Sequence, residues 1–201
     1  MNLAKVLKMS NVTQKRVDIL FPFLRNYVGL FSASKISNQT KIPQQTVSRV
    51  LNDFVSKNLL NFKTNGKNKD FYFDFKKLGS LLMLGIVENF KSLTFIESNQ
   101  DVSIIINEML LFCDSIVVFG SYASGKNKKN SDLDLILFGV KNKKKIEEIK
   151  LKYNLEINEH YFAKKYFSDK SIIPLRKEVL DNHVIFGNVS EVVKLFLEAS
   201  L

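Results

Sequence analysis

Apolar positions between residues 13 and 28 recur at helical spacing: Val17, Leu20, Phe21, Leu24, Tyr27 and Val28, with Arg16, Asp18 and Arg25 off the stripe. Pro22 lies inside this pattern and predicts a kink or a break. Ser32-Ala33-Ser34 is a cap for a second helix running to about Gln39. Ile42-Pro43 opens a third, with Val47, Val50, Leu51, Phe54 and Val55 as its apolar face. Two β-prone runs follow, Leu59–Lys63 and Lys69–Phe73, and the Asn65-Gly66 pair between them predicts a hairpin.

The pattern then changes. Residues 76–89 and 101–112 read as helices, the first burying Leu78, Leu81, Leu82, Gly85, Ile86 and Phe90. Ser115–Phe119 is a short apolar, β-branched run expected to be a buried strand, leading through Gly120 and Ser121 into a short helix at Tyr122–Gly125. From Asp132 to Phe138 a second strand is expected. Period-two alternation places the Asp132 and Asp134 carboxylates on one side of it and Leu133, Leu135 and Leu137 on the other. A lysine-rich helix (141–152), a strand around Leu155-Glu156-Ile157, a late strand and turn at Asn182–Gly187 and a closing helix at 190–201 complete the order; Val192, Val193, Phe196 and Leu197 face inward on that helix.

No repeat and no Pro/Gly/Ser linker marks a boundary, so the change of pattern near Phe75–Gly79 sets it. The expected organisation is α+β: residues 1–77 as a helical head with a β-hairpin, and residues 78–201 as an α/β domain with a mixed sheet.

Charge sharpens this division. Residues 1–75 carry 12 Lys and Arg against 4 Asp and Glu, a net +8, whereas residues 76–201 carry 18 against 16, a net +2. The basic excess in the head points to a polyanionic partner. Gln44, Gln45, Thr46, Ser48, Arg49 and Asn52 lie mostly off the apolar stripe of the third helix and carry side chains able to reach base edges and phosphates. Lys63, Lys67 and Lys69 decorate the hairpin. The single cysteine, Cys113, excludes an internal disulfide and a cysteine-rich zinc site, and its apolar context predicts a buried thiol. Met1–Met9 is not followed by a long apolar run, and the most apolar stretch, Leu81–Val87, falls short of the roughly 20 residues that cross a bilayer. A cytoplasmic protein with no membrane partner is expected.

The chemistry concentrates between Gly120 and Phe138. Gly120 allows close backbone approach, Ser121 offers a hydroxyl and an amide at a helix start, and Lys126, Lys128 and Lys129 follow, a set suited to a polyphosphate. Two carboxylates as close as Asp132 and Asp134 repel each other unless a cation lies between them, and Mg²⁺ is held by one or two carboxylates together with phosphate oxygens.

The run Gly120-Ser121-Tyr122-Ala123-Ser124-Gly125, then Ser131-Asp132-Leu133-Asp134-Leu135, resembles the nucleotidyltransferase superfamily related to DNA polymerase beta, most of all its minimal members, over about residues 105–190. The resemblance implies that Gly120 and Ser121, with Lys126 and Ser131 nearby, hold a nucleoside triphosphate, and that Asp132 and Asp134 ligate two Mg²⁺ ions, replaceable by Mn²⁺. It also implies a third carboxylate on a later strand. Glu156 is the candidate and Glu159 its competitor, which period two aims at the other face.

Residues 34–74 resemble a winged helix-turn-helix domain, which implies double-stranded DNA as a partner, the third helix in the major groove and the hairpin on the backbone. Together these readings predict a nucleotidyltransferase coupled to a DNA-binding head, its acceptor hydroxyl belonging to a nucleic acid, a small molecule or a protein, as in toxin–antitoxin pairs. The alternative is a DNA-binding regulator or antitoxin whose second domain senses nucleotide without turnover.

Overall fold

The computed structural model describes residues 14–163, 167 and 173–200. Met1–Met9, Thr13 and Leu201, on which sequence expectations fell, lie outside them. By contact density the chain divides into two units, Met1–Val87 and Glu88–Leu201.

In the first unit Pro22 does break the helical stripe. Short helices α1 (Gln14–Asp18) and α2 (Phe21–Leu24) replace one long one, with Pro22 in the first turn of α2, where its missing N–H is tolerated. Strand β1 (Phe31–Ser32) leads directly into α3 (Ala33–Thr40), whose N-terminus is capped by Ser32 accepting from the Lys35 amide. Lys41 ends α3 in the left-handed region (φ 59°), and after Ile42-Pro43 the chain enters α4 (Gln44–Ser56). Val47, Val50, Leu51 and Phe54 of α4 are buried. Strands β2 (Asn61–Asn65) and β3 (Asn68–Tyr72) pair antiparallel, and β1 adds to β3, giving the sheet order β1-β3-β2. The hairpin turn is Gly66-Lys67, one residue later than the Asn-Gly pair suggests, with Gly66 supplying the positive φ (58°) at its first central position.

Helix α5 (Leu78–Ser98) is nine residues longer at its C-terminus than the sequence pattern indicates, and it contains the division between the units. At 21 residues it is long and apolar enough to cross a membrane by length and composition, so the expectation drawn from Leu81–Val87 alone is corrected. Its buried face is also corrected. Ser80, Met83, Leu84, Val87, Glu88, Ser92 and Phe95 are buried, whereas Leu78, Leu82 and Ile86 are exposed. Apolar residues surround this helix, so periodicity alone could not choose a face. Polar residues occupy the buried one because each finds a partner, such as the Leu59 carbonyl for Ser80 and the Ile185 carbonyl for Ser92.

The second unit is built on a mixed four-stranded sheet. Helix α6 (Gln100–Leu110) precedes β4 (Ser115–Phe119), a single helical turn α7 (Gly120–Ala123) follows, and then come β5 (Leu133–Phe138), α8 (Lys143–Lys152) and β6 (Ile157–Phe162). Helix α9 (Ile173–Asp181), which the sequence pattern did not reveal, leads to β7 (Val184–Gly187) and α10 (Val189–Ser200). Sheet order is β6-β5-β4-β7, with β5 and β6 parallel and the other pairs antiparallel.

Alternation splits the sheet as expected. Ile116 and Val118 of β4 and Leu133, Leu135 and Leu137 of β5 share one core with Ile105, Ile106 and Met109 of α6 and Ile146 and Ile149 of α8. On the opposite face Phe138 packs edge-on to Phe167, which stacks on Phe196 of α10. Asp132 and Asp134 belong to that second face, at the N-terminal end of β5.

Candidate nucleotide site

Antiparallel pairing sets Phe119, the last residue of β4, opposite Asp134. The chain then turns at Gly120 with φ 66°, a left-handed conformation that glycine adopts without strain. The absent side chain matters as much as the dihedral, because a Cβ at Gly120 would overlap the Asp134 carboxylate. This close approach joins the Gly-Ser turn to the acid pair.

Ser121 follows in α7. Its Oγ is buried and has no hydrogen-bond partner, whereas its carbonyl accepts from Lys126 N (3.0 Å) and Ser124 Oγ (3.0 Å). A buried hydroxyl without a partner is unfavourable unless something else satisfies it, so this oxygen is a natural donor to a ligand. Since α7 is one turn long, the expected helix dipole contributes little, and local N–H and O–H groups carry any phosphate contact. Lys126, Lys128 and Lys129 are exposed on the loop beyond. Ser131 closes a turn in that loop: its Oγ accepts from Lys128 N at 2.8 Å and its amide donates to Lys128 O at 3.0 Å.

Asp132 and Asp134 are half-buried and share one neighbour from the adjacent strand. Parallel register places Asn158 of β6 opposite Asp134, and Asn158 Nδ2 donates to Asp132 Oδ2 (2.5 Å) and to Asp134 Oδ1 (3.3 Å). Burial, first of all, pushes the Asp134 carboxyl above its ordinary range; the Asn158 amide lowers it, the charges of Asp132 and Glu178 raise it, and His160 lowers it. The site therefore concentrates negative charge that a cation would relieve.

The strand expectation around Glu156 is resolved by the same register. Glu156 stands just before β6, exposed, and its backbone carbonyl accepts from Leu133 N at 2.8 Å. It is not paired with either aspartate. Glu159 lies opposite Leu135 and forms an ion pair with Lys150 at 2.5 Å, pointing away from the acid pair as period two predicts. His160, on the parity of Asn158, is exposed with its ring centroid 6.0 Å from that of Phe119. His183, assigned no role from sequence, is fully buried: Nε2 is 3.0 Å from Glu88 Oε1 and Nδ1 is 2.9 Å from the Val179 carbonyl. Burial pushes the Cys113 thiol up to about 11, and its Sγ donates to Met109 O, which suits an inert core residue.

The donor set fits a hard divalent cation. Two carboxylates offer oxygen ligands, with a close backbone turn and a buried unpartnered hydroxyl alongside. No group of three or more His, Cys, Asp or Glu is placed to hold a metal among the described residues, so the acids here number two.

In the first unit, Gln44, Gln45 and Arg49 of α4 are exposed, with Thr46 and Ser48 half-buried beside them. Ser32, Ala33, Ser34, Gln44, Ser48, Asn52, Lys67, Lys69 and Phe71 line a cavity of about 310 Å³. Lys69 bridges its sides, donating to Asn52 Oδ1 (3.0 Å) while its ammonium lies 4.3 Å from the centre of the Phe62 ring. Lys63 is exposed and lies over the Tyr72 ring.

No curated protein and no solved structure compared with the chain gives a match. Residues 102–185 match the family model described as a nucleotidyltransferase domain, a span containing Gly120, Ser121, Asp132, Asp134 and Asn158. The second unit of this chain is thus similar to a nucleotidyltransferase domain over those residues.

Proposed function

We propose that this protein moves a nucleoside monophosphate from a nucleoside triphosphate to an acceptor hydroxyl in a reaction that depends on Mg²⁺ or Mn²⁺. The observation that carries the reading is the fit of Gly120 against Asp134, which couples a phosphate-binding turn to a pair of acids. Asp132 and Asp134 would hold the ion, which when bound supplies positive charge against the phosphate oxygens. Gly120 lets the triphosphate approach the backbone, and the Ser121 hydroxyl donates to a phosphate oxygen. Lys126 adds charge from the loop, and Ser131 fixes that loop's return to Asp132. The acceptor oxygen bonds to the α-phosphorus, the bond from that phosphorus to the bridging oxygen breaks, pyrophosphate leaves and the acceptor's proton passes to water. Glu156 has no part in this proposal.

The assay uses α-labelled triphosphates with Mg²⁺, following pyrophosphate release and transfer of label to protein, nucleic acid or small-molecule acceptors in a cell extract. Wild type is expected to label an acceptor and Asp132→Ala/Asp134→Ala to label none. Absence of both triphosphate binding and labelling by wild type overturns the reading. A second reading, nucleotide sensing without turnover, is favoured by one observation, the amide of Asn158 where a third acid would stand. It predicts binding of the triphosphate without pyrophosphate release.

The first unit, on this proposal, is a winged helix-turn-helix module that binds duplex DNA, with Gln44, Gln45, Thr46, Ser48 and Arg49 facing the major groove and Lys63, Lys67 and Lys69 near the backbone. The exposed face of α4 and the basic hairpin support it. Duplex affinity should fall steeply with salt and drop further in Arg49→Ala, and affinity indifferent to both would refute it.

A further inference from the structure

The resemblance to the polymerase-beta superfamily implies two ions, yet the place opposite Asp134 holds an amide. We propose that this site takes a single divalent cation, with Asn158 as its third, uncharged ligand. The inference rests on the nucleotide-binding reading above and deepens it.

Three observations lead there. Parallel register fixes Asn158 across from Asp134, so its side chain is the one β6 contributes to the acid pair. The same amide reaches both carboxylates, donating to Asp132 and Asp134, so its N–H group bridges the pair and offsets part of their mutual repulsion. The other acids of β6 and its approach are elsewhere: Glu156 is exposed before the strand and Glu159 is paired with Lys150.

Charge counting does the rest. Two carboxylates match one divalent ion, and a second ion would have to be neutralised by the triphosphate alone. A cation approaching the acids meets the amide N–H, which repels it. Rotation about the last side-chain torsion exchanges nitrogen for oxygen within nearly the same outline and presents the carbonyl instead. Asn158 then serves either way, with N–H toward the carboxylates or with C=O toward the ion. Glu178 of α9, whose charge reaches Asp134, is exposed and contributes to the field without completing a set of ligands.

Counting Mn²⁺ by electron paramagnetic resonance tests this in the full chain, alone and with an α,β-methylene triphosphate that cannot transfer its nucleotide. Wild type should hold one Mn²⁺ per protein–nucleotide complex. Asn158→Asp should hold two, and Asn158→Leu should hold one with affinity reduced about tenfold or more. Two ions in wild type overturn the proposal. So does tighter Mn²⁺ binding by Asn158→Leu, which would make the amide a competitor of the ion and not its ligand. If Asn158→Leu does not fold, Asn158→Ser, which keeps an oxygen but shortens the reach, should weaken the ion similarly, and unchanged affinity there counts against the role. If wild type binds neither Mn²⁺ nor nucleotide, the reading of the whole site fails, a result distinct from a wrong stoichiometry.

Discussion

The Cβ that Gly120 lacks would fall on the Oδ2 atom of Asp134. Gly120→Ala therefore combines two penalties: a left-handed backbone that costs alanine about 1 kcal/mol and a displaced carboxylate. The variant should lose triphosphate affinity by about tenfold or more while keeping its secondary structure, since misplacing a ligand group by about 1 Å has effects of that order or larger. A titration with a non-transferable triphosphate, paired with circular dichroism, measures both. Undiminished binding would disconnect the turn from the acid pair.

Asp134 gives a pH-dependent prediction. Its carboxyl sits above the ordinary range in the folded protein, chiefly through burial, so folding favours the protonated form. The charged form lowers stability above the folded-state pKa, and that loss disappears as pH falls toward the unfolded value of about 3.9. Asp134→Asn should accordingly melt about 1–3 °C higher than wild type at pH 7, with the gap closing in acid. Millimolar Mg²⁺ should reverse the order, because only wild type gains from binding it. Differential scanning calorimetry with and without the ion gives the answer.

Asp53 has the opposite sign. Hydrogen bonds first from Arg16 and then from Lys57 hold its carboxyl below the usual range. That stabilisation is present above the unfolded pKa and is lost as pH falls through the folded one. Both partners are partly exposed, so Asp53→Asn should lower stability at pH 7 by only about 0.5–1 kcal/mol. Urea unfolding at a series of pH values should show the full difference at pH 7 and a difference that shrinks as the pH falls below the unfolded value.

The Glu88–His183 pair, buried within the second unit, should be far more consequential. Glu88→Leu removes the carboxylate 3.0 Å from His183 Nε2 and should destabilise by about 2–4 kcal/mol. Glu88→Gln should lose much less, because a neutral ring can donate from Nδ1 to the Val179 carbonyl and accept the amide N–H at Nε2. Denaturant unfolding of both variants separates a specific hydrogen-bond role from mere space filling.

Local features were readable from the chain: the break at Pro22, the cap at Ser32, the hairpin and the alternation that sets Asp132 and Asp134 against Leu133, Leu135 and Leu137. The Gly-Ser turn and the acid pair were legible because their conformational and charge demands lie within nineteen residues of sequence. Features that depend on distant partners were not. Glu156 is the sequence candidate for the third acid because parity alone cannot reveal where β6 begins; Ile157, buried opposite Leu133, is the first residue of that strand, and Asn158 is the one set opposite Asp134. Glu88 and His183 are 95 residues apart and each looked unremarkable alone. The orientation of α5 was hidden because apolar side chains surround it, and the choice was made by the bonds of Ser80, Glu88 and Ser92.

The register between β5 and β6 also limits how this site can evolve. A one-residue deletion before β6 would bring Glu159 toward the acids only by turning Ile157 out of the core, since a slip of one residue inverts every side chain of a strand. A substitution at position 158 changes the charge there without that cost. Asparagine and aspartate codons differ in their first base, so one transition at codon 158 would convert the amide to an acid with the backbone undisturbed. The fold holds the frame constant and leaves a single letter free to vary.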